Sequence, residues 1–159
     1  MPRFRSDLDQ IVPYTPGRSI EEVAAESGIS DIAKLASNEC PFAPCPEVIE
    51  AMAVAGGGVN RYPDNDQRAL RAATAEHLGI PEDHLWFGGG SSDLLRSIGL
   101  AMGGSGTSAV CASPSFVLYR IVTHIAGSEP LEVPLTDTWV HDPQRLVEAV
   151  REDTTLLYL

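Results

Sequence analysis

From Ser92 onward the chain alternates between two patterns. Helical apolar spacing appears in SDLLRSIGLAM, SPSFVLYRIVTHIAG and HDPQRLVEAVRED, and short β-type runs appear between and after them in SAVCA, LEVPL and TTLLYL. HLWFG, just upstream, reads as one more buried strand. Strands alternating with helices of this length predict a layered α/β fold with a mostly parallel sheet. Such a sheet must be covered on both faces, so the helices divide between two outer layers. Pro130 and Pro134 flank the centre of LEVPL and mark it as an edge strand or a sharply ended one.

The helix punctuation follows from turn chemistry. Ser19 is placed to cap SIEEVAAES, with Glu21 and Glu22 in the first turn and Gly28 past the end. Pro46 suits the first position of a helix whose apolar stripe is Val48, Ile49 and Met52. Asp66 is placed to cap the helix running to Gly79. Ser113 and Pro114 read as cap and first residue of the helix ending at Gly127, and Asp142 and Pro143 as the same pair for the last helix. Residues 1–33 are polar on most faces and read as an N-terminal arm. Residues 34–159 read as one layered domain, incomplete because TTLLYL is a buried-type strand with nothing following it. The sequence therefore predicts the first part of a larger domain.

Charge and cysteine usage narrow the function. The net charge is −11 in 159 residues, which argues against a surface for nucleic acid or anionic lipid. The N-terminus lacks the apolar core of a secretory signal, and no apolar run is long enough to span a membrane. Cys40, Cys45 and Cys111 are sparse and odd in number, as expected of free thiols in a reducing, cytoplasmic setting. No His/Cys pair stands at zinc-finger spacing from the first two, so no metal site is expected.

The stretch WFGGGSSDLL raises a chemical question. Three glycines between a strand and a helix allow a ligand to approach the backbone. The helix N-terminus adds unpaired N–H groups and a partial positive charge, and Ser91 and Ser92 add hydroxyls. Together these suit a phosphate. A dinucleotide fingerprint fails because Asp93 stands at its third glycine, and a P-loop fails for want of a lysine. A tight turn whose glycines serve geometry alone remains equally open on these residues.

Other stretches carry a family resemblance. YTPG, IAKLASNECPFAPCP, NRYPD, GGGSSDLL, ASPSFVLYR and VPLTDTWVHDPQRL stand in the order and spacing of one family. From about Pro13 to Leu159 the chain resembles the N-terminal portion of histidinol-phosphate aminotransferase, a class I/II aminotransferase among the fold-type I pyridoxal-phosphate enzymes. The resemblance implies an incomplete three-layer α/β/α large domain preceded by an arm, and a homodimer in histidine and amino-acid biosynthesis. It implies a small-molecule amino donor and a 2-oxo acid such as 2-oxoglutarate as partners, with no nucleic acid or membrane. It implies that Gly90, Ser91 and Ser92 hold the phosphate of pyridoxal 5′-phosphate, that Phe116 stacks on its pyridine ring, and that Tyr62 reaches the phosphate across the dimer. Tyr14 and Asn38 would lie on the substrate side.

Three positions depart from the family pattern. Cys40 replaces the second asparagine of N-E-N-P, Cys45 replaces a capping serine, and Ser92 replaces an acidic residue in the phosphate turn. These leave open a threonine-phosphate decarboxylase, an aromatic aminotransferase, or a non-catalytic remnant used for binding. The lysine that forms a Schiff base with the cofactor is also absent. The only lysine is Lys34, which precedes LASNE. The chain alone is therefore expected to be inactive, with no catalytic residue of its own.

Overall fold

The structure is a computed structural model describing residues 5–159, so the first four residues of the predicted arm lie outside the described residues. Two compact units make up the chain, one of residues up to Tyr14 with Phe87–Leu159, the other of Thr15–Trp86.

The first unit holds a parallel sheet. β1 (Ser108–Ser113) lies between β2 (Glu129–Pro134) and β3 (Thr154–Leu157). Side-chain alternation on β1 sends residues to opposite faces. Ala109 and Cys111 join Val122 and Tyr158 in one buried cluster, with Leu95, Tyr119 and Leu156 packed against it. Val110 and Ala112 join Val133 and Leu146 in the other, with Leu131, Leu135 and Leu157. The first face is covered by α4 (Ser91–Met102) and α5 (Leu118–Ala126), the second by α6 (Pro143–Glu148). This is the three-layer α/β/α arrangement with a parallel sheet, and β2 is an edge strand within it. Gly99 lets α4 pack close to α5, its absent Cβ lying 3.5 Å from the Val122 carbonyl oxygen. Asp142 caps α6 by accepting hydrogen bonds from the Gln144 and Arg145 amides at 3.1 and 3.2 Å.

The second unit is helical. α1 (Ile20–Ser27) begins with a capping box: Ser19 Oγ accepts from Glu22 N at 3.1 Å and Glu22 Oε2 from Ser19 N at 2.9 Å. Gly28 ends it in the left-handed conformation. α2 (Pro46–Gly56) opens on its proline, and α3 (Arg68–Leu78) ends at left-handed Gly79. Arg71 ties α3 to the turn that follows, donating to the carbonyls of Glu82 at 2.8 Å and Leu85 at 2.6 Å.

Four local expectations change. HLWFG is not a strand, because no neighbour pairs with it among the described residues and a strand exists only through its ladder. Ser113 does not cap α5: it pairs with Pro134 as the last residue of β1, and α5 begins only at Leu118 after a loop with a cis Ser113–Pro114 bond. Asp64, not Asp66, serves the start of α3, accepting from Arg68 N at 3.0 Å while left-handed Gln67 occupies the cap position. Ala101 and Met102 continue the apolar helical spacing of SDLLRSIGLAM, which predicts them on its buried face, yet both are exposed, since the last turn of that helix runs past the cluster.

Candidate functional site

α4 ends five residues before β1 begins, and a helix of its length puts its first turn about 18 Å away. The Gly88–Gly90 turn is at that far end. Leu95, one turn into α4, packs on the cluster shared with Tyr119, near the start of α5, and Tyr158, just past the end of β3. The turn and the loop after β1 thus enter helices on the same face of the sheet.

Two of the three glycines in the turn are required by geometry. Gly90 has φ +94° and ψ 173°, a conformation L side chains rarely adopt, with open space where a Cβ would stand. A Cβ on Gly88 would meet Leu94 Cδ2 at 2.8 Å and Asp93 Oδ2 at 3.0 Å. Gly89 has room for a side chain, and its amide donates to Asp93 Oδ2 at 3.1 Å. The amides of Asp93 and Leu94 both reach the Gly90 carbonyl, at 3.2 and 3.3 Å. The amides of Ser91 and Ser92 have no acceptor among the described residues, and both serines are exposed. They are the orphan donors of a helix N-terminus.

Asp93 places a carboxylate in the same first turn. The Gly89 amide and then the Arg96 guanidinium, at 2.8 Å, hold its carboxyl below the usual range. Arg96 offsets the charge that would otherwise oppose an anion at the serines. Sequence reasoning used Asp93 only to exclude a nucleotide motif and missed this role. The i, i+3 spacing of Asp93 and Arg96 was the available signal.

Phe116 lies in the loop between β1 and α5 and is 46% exposed. Its ring meets Tyr119 edge-on, with centroids 5.6 Å apart and planes at 88°. Tyr119 stacks on Tyr158 at 4.6 Å and 12°. A cavity of about 220 Å³ beside the loop is lined by Ser113, Ser115, Phe116, Arg120 and Glu132, with Cys111 at its floor. The remaining predicted residues stand elsewhere. Tyr14 is exposed at the end of the first unit's N-terminal segment. Tyr62, fully exposed between α2 and α3, and Asn38, left-handed at φ 51° beside left-handed Ser37, belong to the second unit. Lys34, also there, pairs with Glu39 at 2.7 Å.

Gly90, Ser91, Ser92 and Phe116 fit pyridoxal phosphate: free donors at a glycine-opened helix end suit its phosphate, and a half-exposed aromatic face suits its ring. Known proteins point the same way. The chain is 41% identical over 158 residues to an aromatic amino acid aminotransferase of Thermobifida fusca, a match covering 99% of this chain and 42% of that protein. It is 40% identical over 157 residues to a histidinol-phosphate aminotransferase of Geobacillus thermodenitrificans, covering 99% and 43%. The crystal structure of histidinol-phosphate aminotransferase from Sinorhizobium meliloti, in complex with pyridoxal-5′-phosphate, superposes on the whole chain with a TM-score of 0.84 at 27% identity. The chain is homologous to the N-terminal portion of these aminotransferases. It spans about two fifths of their length, covering 42% of the S. meliloti chain. Its fold is that of the fold-type I enzymes, and Thermus thermophilus aspartate aminotransferase, 22% identical, shares it with a TM-score of 0.75. No protein-family model matches the sequence. Among the described residues no helix of this aminotransferase portion is long and apolar enough to cross a membrane.

Proposed function

We propose that the chain is the cofactor-cradling part of a cytoplasmic pyridoxal-phosphate-dependent aminotransferase of the histidinol-phosphate type, moving an amino group to a 2-oxo acid such as 2-oxoglutarate. The observation that carries this is the pair of free amides at Ser91 and Ser92 behind Gly90, whose φ is +94°. When bound, pyridoxal phosphate supplies an electron sink for bonds broken at the amino-acid α-carbon. The Ser91 and Ser92 amides and hydroxyls hold the phosphate. Phe116 sets the plane of the ring and keeps water from one face. Tyr62 and Tyr14 serve a second copy in a homodimer, a reading supported by the full exposure of Tyr62 and the exposed apolar residues Val48, Ile49, Met52 and Val54 on α2. Asn38 lines the substrate side. Residues 1–33 form the arm and 34–159 the large-domain portion.

The same reading makes the isolated chain inactive. The cofactor's aldehyde needs a lysine, and the one lysine, Lys34, precedes LASNE instead of standing at the family's Schiff-base position. An aromatic amino-acid donor is the second reading, favoured by the T. fusca relative.

The test uses pyridoxamine 5′-phosphate, which has the ring and phosphate but no aldehyde. Binding that is lost with unphosphorylated pyridoxamine, and lost again in Ser91→Asp, is the expected result. Equal binding of both compounds would remove the phosphate cradle. Transamination of histidinol phosphate by the chain alone, or a single-site adduct with pyridoxal phosphate fixed by borohydride, would overturn the inactivity.

A further inference from the structure

We propose that Tyr119 and Tyr158 are positioning residues for the cofactor ring, acting through Phe116; the inference rests on the pyridoxal-phosphate reading above. Phe116 sits on a loop and is 46% exposed, so on its own it would sample several rotamers. Stacking on a flat, electron-poor ring is useful only if the phenyl plane is fixed before the ligand arrives. The three rings form a column that supplies this. Tyr158 is 7% exposed at the end of β3, and its amide donates to the Val110 carbonyl at 2.9 Å, which anchors it to the sheet. Tyr119 lies nearly parallel on it, the planes 12° apart. Phe116 then stands at 88° to Tyr119. Edge-to-face contact aligns the positive rim of one ring with the negative face of the other, so it resists rotation where a greasy contact would not.

The column also explains an otherwise costly feature. Tyr158 Oη is buried, with the Thr123 hydroxyl beside it and no hydrogen bond of ordinary geometry formed. A poorly satisfied buried hydroxyl is a cost that the ring's stacking on Tyr119 offsets. The ring, not the hydroxyl, is what the column uses, so phenylalanine should serve at both tyrosine positions.

The experiment is an equilibrium titration of the chain with pyridoxamine 5′-phosphate, followed by the circular dichroism induced in the ligand's own absorption band. Tyr119→Phe and Tyr158→Phe should bind like the unsubstituted chain and keep the induced signal. Tyr119→Leu should bind about two- to tenfold more weakly and lose most of the signal. Adding Tyr119→Leu to Phe116→Leu should cost nothing further, because a positioning residue has nothing left to position. A merely structural tyrosine would weaken both backgrounds equally. Should Tyr119→Leu not fold, Tyr119→Met fills more of the same space and gives the same comparison. Binding and dichroism unchanged in Tyr119→Leu, or additive losses in the double variant, would overturn the positioning role and leave the cofactor reading intact. Absence of phosphate-dependent binding by the unsubstituted chain would overturn both.

Discussion

Phe87–Leu159 and Thr15–Trp86 are built on different principles. The first buries an apolar cluster on each face of a sheet, with Val110 and Leu146 almost fully enclosed. In the second, Ala75 is the one buried residue. Its helices are nevertheless well started and stopped, by a capping box at Ser19, by Pro46, and by left-handed Gly28 and Gly79. Local chemistry can set where a helix begins and ends. It cannot hold a short helix together without tertiary burial, because isolated helices of this length are marginal in water.

The largest expected effect that separates the two regions is thiol reactivity. Burial, and then the nearby Glu132 charge, push the Cys111 thiol up to about 11 from an ordinary 9.0, against a smaller opposing effect of Arg120. At pH 8 its thiolate fraction is thereby lowered about a hundredfold. Cys40 and Cys45 are exposed. A chromogenic disulfide reagent should therefore report two fast thiols and one slower by about a hundredfold or more. Three equal rates would mean that the sheet unit does not form its core. The sign of the pH dependence follows. The folded state holds the Cys111 proton more tightly than the unfolded chain, so this contribution to stability is whole below about pH 9 and is lost as pH rises toward 11.

Core truncation gives the next contrast. Leu146→Ala, at a side chain 1% exposed against Val110, Ala112 and Val133, should cost about 3 kcal/mol in urea unfolding. Met52→Ala, at a side chain 68% exposed on α2, should change stability by less than about 0.5 kcal/mol. A comparable loss for Met52 would show that its helix face is covered in solution.

The same contrast explains what was legible in the sequence. The parallel order follows from the alternation of strand-type and helical runs, and the edge position of β2 from its prolines. HLWFG was misread because its composition is strand-like but pairing depends on a neighbour that composition does not name. Ser113 was misread because a cap and a strand end compete for the same residue, and the Ser113 pairing with Pro134 wins. At the candidate site, the turn into α4 was legible from a glycine run before an apolar helical pattern, although the strand expected ahead of it is absent among the described residues. The Asp93 bond to Gly89 and the Phe116–Tyr119–Tyr158 column were not, since the first depends on a particular turn and the second on a residue forty positions away.

Removing one local signal tests the helical unit more finely. Ser19→Ala removes the side-chain half of the α1 capping box, leaving the backbone amide to donate to Glu22, and should cost about 1 kcal/mol, seen as faster amide exchange in the first turn of α1. Exchange in β1 should not change.

The smallest effect runs in the opposite direction. Cys45 occupies the cap position of α2 with extended backbone, yet its side chain makes no capping hydrogen bond. The Val48 and Ile49 amides already reach the Cys45 carbonyl at 3.0 and 3.3 Å, and Pro46 has no N–H, so the Glu47 amide is the donor left without a partner among the described residues. Serine is nearly the same size and accepts hydrogen bonds far better than a thiol. Cys45→Ser should therefore stabilise α2 by about 0.5 kcal/mol, measured as slower exchange of the Glu47 amide, with Leu146 and its cluster unaffected. No change at Glu47 would show that the first turn of α2 is already held by something other than its cap, and that burial contributes to this unit after all.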